Sequence, residues 1–144
     1  MAQVVEVAKY ITETMGEISA MKLQKLMYYS QAWHMAWDDN ELFEEDFEAW
    51  ANGPVLPCLY QIHKGKFKVS ASLFRNADSS NISTDEKESI DEVLGYYGEK
   101  SAQWLSSLTH KEDPWLNARG DCSPGDRCSN IITKASMHEY YSSL

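Results

Sequence analysis

Apolar residues at Val4, Val5, Ala8, Ile11 and Met15 recur with a helical period, and Gly16 follows where such a helix stops. Ser19 then has the chemistry of an N-cap, with Ile18 before it and Leu23 four positions into the next helix as a hydrophobic staple. The helix this opens near Ala20 carries Leu23, Leu26, Met27, Trp33 and Trp37 on one stripe. Met21, Tyr28, Ala32 and Met35 make the other side nearly as apolar. A helix that is apolar all round is central to its domain or covered by a partner. Lys22 and Lys25 fall in its first turns, where the helix dipole disfavours cations, so nearby carboxylates are expected to pair with them.

Asp38-Asp39-Asn40 supplies turn chemistry at the end of that helix. Phe47, Ala49 and Ala51 alternate with Glu48 and Trp50, which predicts a short strand, and Asn52-Gly53-Pro54 makes a corner. Pro54 is preorganised for a helix's first turn, and Val55, Leu59 and Ile62 continue a short helical pattern, with Pro57 inside that turn and Gly65 as its stop. Lys64, Lys66 and Lys68, interleaved with Phe67 and Val69, read as an edge strand guarded by lysine rather than as a single-strand nucleic-acid platform. After the polar loop Asn76 to Ser83, the pair Ser83 and Glu86 forms a capping box for a helix with Ile90, Val93, Leu94 and Tyr97 inward, closing at Gly98.

Ser101 caps a further helix with Ala102, Leu105, Leu108 and Thr109 inward, and Asp113-Pro114 reads as the N-cap and first position of a short one. Gly120 to Ser129 is a polar loop, Ile131-Ile132 a short strand, and Ser136 with Glu139 a capping box opening a terminal helix over Tyr140 and Tyr141. The pattern therefore predicts a predominantly α (α+β) fold. Five to seven helices surround a long central one, with a two- or three-stranded sheet, in a single domain over residues 1–144.

Composition narrows the function. Thirteen basic against twenty-two acidic residues give a formal charge of −9, the wrong sign for a duplex-binding module. The acids are unevenly placed: Asp38, Asp39, Glu41, Glu44, Glu45, Asp46 and Glu48 fall in one stretch without a Lys or Arg. No apolar run reaches the ~20 residues that cross a bilayer, and the first residues lack signal-peptide organisation, so the expected compartment is the cytoplasm. Cys58, Cys122 and Cys128, an odd number at spacings that match no zinc knuckle, are expected as idle thiols in a reducing environment.

Motifs of known reaction centres and cofactor loops are absent, so no cofactor and no catalysis are expected. His110 beside Glu112 and Asp113 could be taken for an acid-base cluster, but no nucleophile accompanies it and a helix-end role is preferred. A metal-dependent phosphate-cleaving enzyme built on Glu41, Asp46, Glu48 and a lysine is kept as an alternative without support of its own.

The runs KLQKLMYYSQAWH from Lys22, LFEEDFEAWANGPVLPCLY from Leu42 and SAQWLSSLTHKEDPWLNAR from Ser101 resemble the Panacea domain family, which includes SocA-type antitoxins and the phage-associated GepA proteins. The resemblance implies an antitoxin that neutralises a cognate toxin protein by direct contact, or alternatively an adaptor that delivers the toxin to a bacterial protease. It carries over no catalytic residues. Toxins acting on RNA or nucleotides have basic active sites, toward which an acidic partner is steered. The candidate toxin-binding residues are accordingly Glu41, Glu44, Glu45, Asp46 and Glu48, with Trp50, Pro54 and Tyr60 beside them.

Overall fold

The computed structural model describes residues 1–144. In chain order the elements are α1 (Val4–Met15), β1 (Ile18–Ser19), α2 (Ala20–Asp38), β2 (Phe47–Trp50), β3 (Gly53–Val55), α3 (Pro57–His63) and β4 (Lys68–Val69). Two 3₁₀ turns, Ala71–Phe74 and Ser79–Asn81, lead into α4 (Thr84–Tyr97), α5 (Ala102–Thr109), α6 (Asp113–Arg119), β5 (Ile131–Ile132) and α7 (Lys134–Ser142). The strands are all antiparallel: β1 pairs with β4, and β2 lies between β3 and β5, with Trp50 opposite Gly53 and Phe47 opposite Ile132. This is the α+β architecture that the hydrophobic pattern predicts.

Local chemistry sets most boundaries. Gln3 and Glu6 form a capping box on α1, Ser19 Oγ accepts the Lys22 amide at 3.1 Å, and Ser83 and Glu86 cap α4 reciprocally. Asp39 ends α2 in the left-handed region at φ 58°, its N–H returned to the Met35 carbonyl. Three boundaries differ from the sequence expectation. Pro54 lies in β3 opposite Ala49 because the Gly53 corner closes a hairpin, so α3 starts only at Pro57. Glu112 rather than Asp113 is the N-cap of α6. The terminal helix is capped by Thr133, whose Oγ1 accepts the Ser136 amide, three residues ahead of the predicted start.

Thirty-one buried residues form one continuous hydrophobic cluster from Ala2 to Tyr141. α2 runs through it, packed by α1, α4, α5, α7 and β3. Every residue from Leu23 to Ala32 is buried, which accounts for a helix apolar on all sides. At its far end Trp33 is partly buried and stacks on Trp37, which is about half exposed (48%).

The cysteines depart from expectation. Cys122 and Cys128 are joined in a disulfide and only Cys58 is free. Arg119 donates to the carbonyls of Ser123 at 2.6 Å and Asp126 at 3.1 Å, curling the loop so that the two Cα atoms lie 6.1 Å apart, within disulfide reach. Spacing alone does not show that curl.

Gly53 has φ +116°, and a Cβ there would lie 2.7 Å from Lys25 Cε and 2.9 Å from Thr109 Oγ1. Gly95, on the solvent side of α4, has nothing within 4 Å. Alanine at the two positions should act with opposite sign. Gly53→Ala should lose roughly 1–3 kcal/mol through the strained backbone and the displaced lysine, and Gly95→Ala should gain about 0.5–1 kcal/mol of helix stability. Urea unfolding of both variants checks the pair.

Candidate functional site

The residues singled out from sequence do not share one surface. Glu41 lies with His34, Asp38, Asp39 and Asp85 along a groove of about 630 Å³. Glu44 and Glu45 border a different depression, with Met1, Cys58 and Ile62. Asp46 pairs with Lys134 at 2.6 Å, the one Lys or Arg ion pair in the structure. Glu48, Trp50 and Tyr60 line a cleft beside α3, and Pro54 is buried.

The groove at Glu41 continues into one of about 720 Å³ lined by Trp37, Asp38, Asp85, Glu88, Asp91 and Glu92. The acidic end of α2 therefore meets a second row of carboxylates on α4, with the exposed Trp37 ring lining the same groove. Sequence reasoning missed that row because it treated α4 only through its buried stripe; the run TDEKESIDE was the available signal. Asp85 lies in the first turn of α4, where the helix dipole favours it. Glu88, Asp91 and Glu92 lack that help, and Glu88 repels the other two at helical spacing, by about 0.2–0.5 kcal/mol per pair. His138 approaches Asp39 at 2.8 Å and Tyr10 donates to Asp91 at 2.7 Å, but no Lys or Arg forms an ion pair with the band, and Lys87 of α4 lies over the Tyr10 ring.

The cleft of Glu48, Trp50 and Tyr60 has the opposite character. About 800 Å³ in volume, it is also lined by Gln24, Lys25, His63, Lys64 and Arg127. Lys25 is 1% exposed. Its ammonium donates to the Pro54 carbonyl at 3.0 Å and has no carboxylate within ion-pair distance. Lys22 donates to the Gly98 carbonyl at 2.6 Å. The carboxylate partners expected for these two lysines are therefore replaced by backbone carbonyls, because the chain wrapped around α2 presents carbonyls at the points where the two amines emerge. Burial lowers the Lys25 pKa to about 7. Burial also lowers His63, with the Lys25 charge adding to the effect, and the Gln24 amide meets His63 Nε2 at 3.0 Å. Glu48, the only carboxylate on this cleft, accepts from the Trp50 indole N–H at 2.8 Å and fixes that ring, which meets Tyr60 edge-on at 4.9 Å.

His110 and Glu112 do not form an acid-base pair. The His110 ring stacks on Trp115 at 4.1 Å, while Glu112 is buried and accepts from the Tyr29 and Tyr141 hydroxyls at 2.6 and 2.8 Å. Burial raises the Glu112 pKa against the pull of those two donors. No group of three or more His, Cys, Asp or Glu side chains is placed to hold a metal ion, and no helix is long and apolar enough to cross a membrane.

A sequence profile described as Antitoxin SocA-like, Panacea domain, matches residues 23–116, from the buried part of α2 into α6. The chain belongs to this family. No curated protein and no solved structure matches it significantly. The matched span holds the buried polar face of α2, the Gly53 corner, the α4 carboxylates and Glu112.

The lowered pKa of Lys25 fixes a pH dependence of stability. Between about 7 and its ordinary value of 10.5 the unfolded chain holds a proton that the folded chain has released. Lys25 thus makes stability rise with pH across that window, by up to about 1.4 kcal/mol per pH unit. Lys25→Met should remove this contribution. The difference in unfolding free energy between wild type and variant, measured at several pH values from 7 to 10, should shift steadily in favour of wild type as pH rises.

Proposed function

We propose that this member of the SocA-like antitoxin family neutralises a cognate toxin protein by direct, non-catalytic contact. Its docking surface is the acidic band of Asp38, Asp39, Glu41, Glu88 and Glu92 around Trp37. The observation that carries the reading is that none of these carboxylates has a Lys or Arg ion-pair partner, while like charges at helical spacing lower the stability of the free protein. A half-exposed tryptophan amid carboxylates combines an aromatic anchor of the kind that dominates binding energy with a field that accelerates encounter with a basic surface.

The neighbouring reading frame supplies the test, as a gene toxic alone and tolerated when this chain is co-expressed. The double variant Glu88→Lys, Glu92→Lys should fold at least as stably as wild type yet associate with the purified toxin at least tenfold more slowly at low salt. Trp37→Ala should mainly speed dissociation. Glu99→Lys, exposed just beyond the C-terminal end of α4, serves as the charge control. Unchanged rescue of growth and unchanged association in both band variants would remove this surface from the interface. If toxin levels fall on co-expression only while a cellular protease is present, delivery for degradation replaces direct inhibition.

A further inference from the structure

The cleft beside α3 is not used by the acidic band, and its chemistry is the reverse of that band's. In a chain of net charge −9, it gathers Lys25, Lys64 and Arg127 around one carboxylate, and that carboxylate is held by the Trp50 indole. Lys25 is almost completely buried and its amine has a single acceptor, the Pro54 carbonyl, for three N–H donors. A buried amine without a counter-charge lowers stability, and apolar replacements of such groups are commonly neutral or better. Lys25 is therefore poorly explained as a stabilising residue. The conformation of Gly53 is specific to it, since any side chain at that corner would collide with the lysine stem. The Gln24 amide, tied to both backbone polar groups of Leu56, holds the His63 ring beside it.

We propose that this cleft binds a free nucleotide. The phosphate group sits between Arg127 and Lys64 at the rim, over the Lys25 amine beneath, and the base lies against Trp50 and Tyr60. Three features select this ligand over other anions. Two aromatic rings share the cleft with the cations, and the Glu48 hydrogen bond fixes the orientation of Trp50. The exposed amides of Asn52 and Gln61 are available to the edge of a base. A volume of about 800 Å³ lies within the range of small-ligand sites. The overall charge selects a mononucleotide over a strand, because a polyanion following the surface outward would meet the protein's excess of carboxylates. Arg127 belongs to the loop closed by the Cys122–Cys128 disulfide, which sets the position of one wall.

Isothermal titration of the full chain with adenosine monophosphate, guanosine monophosphate, adenosine, inorganic pyrophosphate and a hexauridine RNA tests the proposal. At least one nucleotide should bind in the micromolar range, with adenosine and pyrophosphate each at least tenfold weaker. Lys25→Met and Arg127→Glu should each weaken the nucleotide at least tenfold. Trp50→Leu should weaken the nucleotide but leave pyrophosphate unchanged, a split that general damage to the fold does not give. Arg127 is exposed on a loop, so its variant keeps the test valid if Lys25→Met fails to fold. The proposal is overturned if neither nucleotide binds at millimolar concentration, if adenosine equals its monophosphate, if the RNA binds more tightly than the nucleotides, or if Arg127→Glu leaves affinity unchanged.

Discussion

The fold depends on a helix that is buried on all sides yet carries polar side chains, each occupied by backbone from the chain wrapped around it. Gln31 donates to the Phe43 carbonyl at 2.8 Å and accepts the Leu42 amide at 2.7 Å. One heptad earlier, Gln24 does the same for both backbone groups of Leu56, and between them Lys25 takes the Pro54 carbonyl. These passages of chain have few strand partners, since the sheets contribute only two to four residues per strand. Buried peptide groups without partners would each cost about 1–3 kcal/mol. The side chains of α2 thus complete hydrogen bonding that a larger sheet would otherwise supply, and they fix the path of the chain from Leu42 to Leu56.

The same helix couples the two ends of the matched sequence. Lys25 and Tyr29 are one turn apart on α2. Lys25 lies against Gly53 and beside Thr109, while Tyr29 donates to Glu112. The Thr109-His110-Lys111-Glu112 segment therefore docks along that face of α2, and Tyr141 of α7 closes it by donating to the same Glu112 oxygen. Lys25 and Glu112 could have been expected to neutralise one another. Each instead holds neutral partners, a carbonyl in one case and phenol hydroxyls in the other, and both pKa values move toward the uncharged form.

What could be read from the sequence follows from the range of the interactions involved. α1, α2, α4 and α5 were legible because caps such as Ser19, Ser83 and Ser101 and the stripes beside them act within a few residues. The start of α3 was misplaced because Pro54 suits a helix or an edge strand locally, and only its pairing with Ala49 decides. The partners of Lys22 and Lys25 were illegible for the same reason: Gly98 and Pro54 are 76 and 29 residues away, and composition had suggested carboxylates. The acidic stretch from Asp38 to Glu48 was visible, but its division was not, because the chain turns between Glu41 and Glu48 and sends its charges to different surfaces. The match of Asp38 with the α4 carboxylates needed the packing of α2 on α4, which His34 secures through Ser89 at 2.8 Å.

Charge is sorted in space more sharply than along the chain. Asp46 takes the one lysine ion pair, Lys22 and Lys25 are used on carbonyls, and Lys9 lies over the carbonyl of Ala77. Because several cations are directed to backbone groups, the carboxylates around Trp37 keep their field, which a network of surface ion pairs would have cancelled. The basic cleft beside α3 is the complement of that arrangement. It is possible only because Gly53 lets the backbone cover the Lys25 stem while the amine still lines the cleft. An acidic outer face and a cationic, aromatic recess can thus coexist on one small chain, with α2 contributing Asp38 to the first and Lys25 to the second.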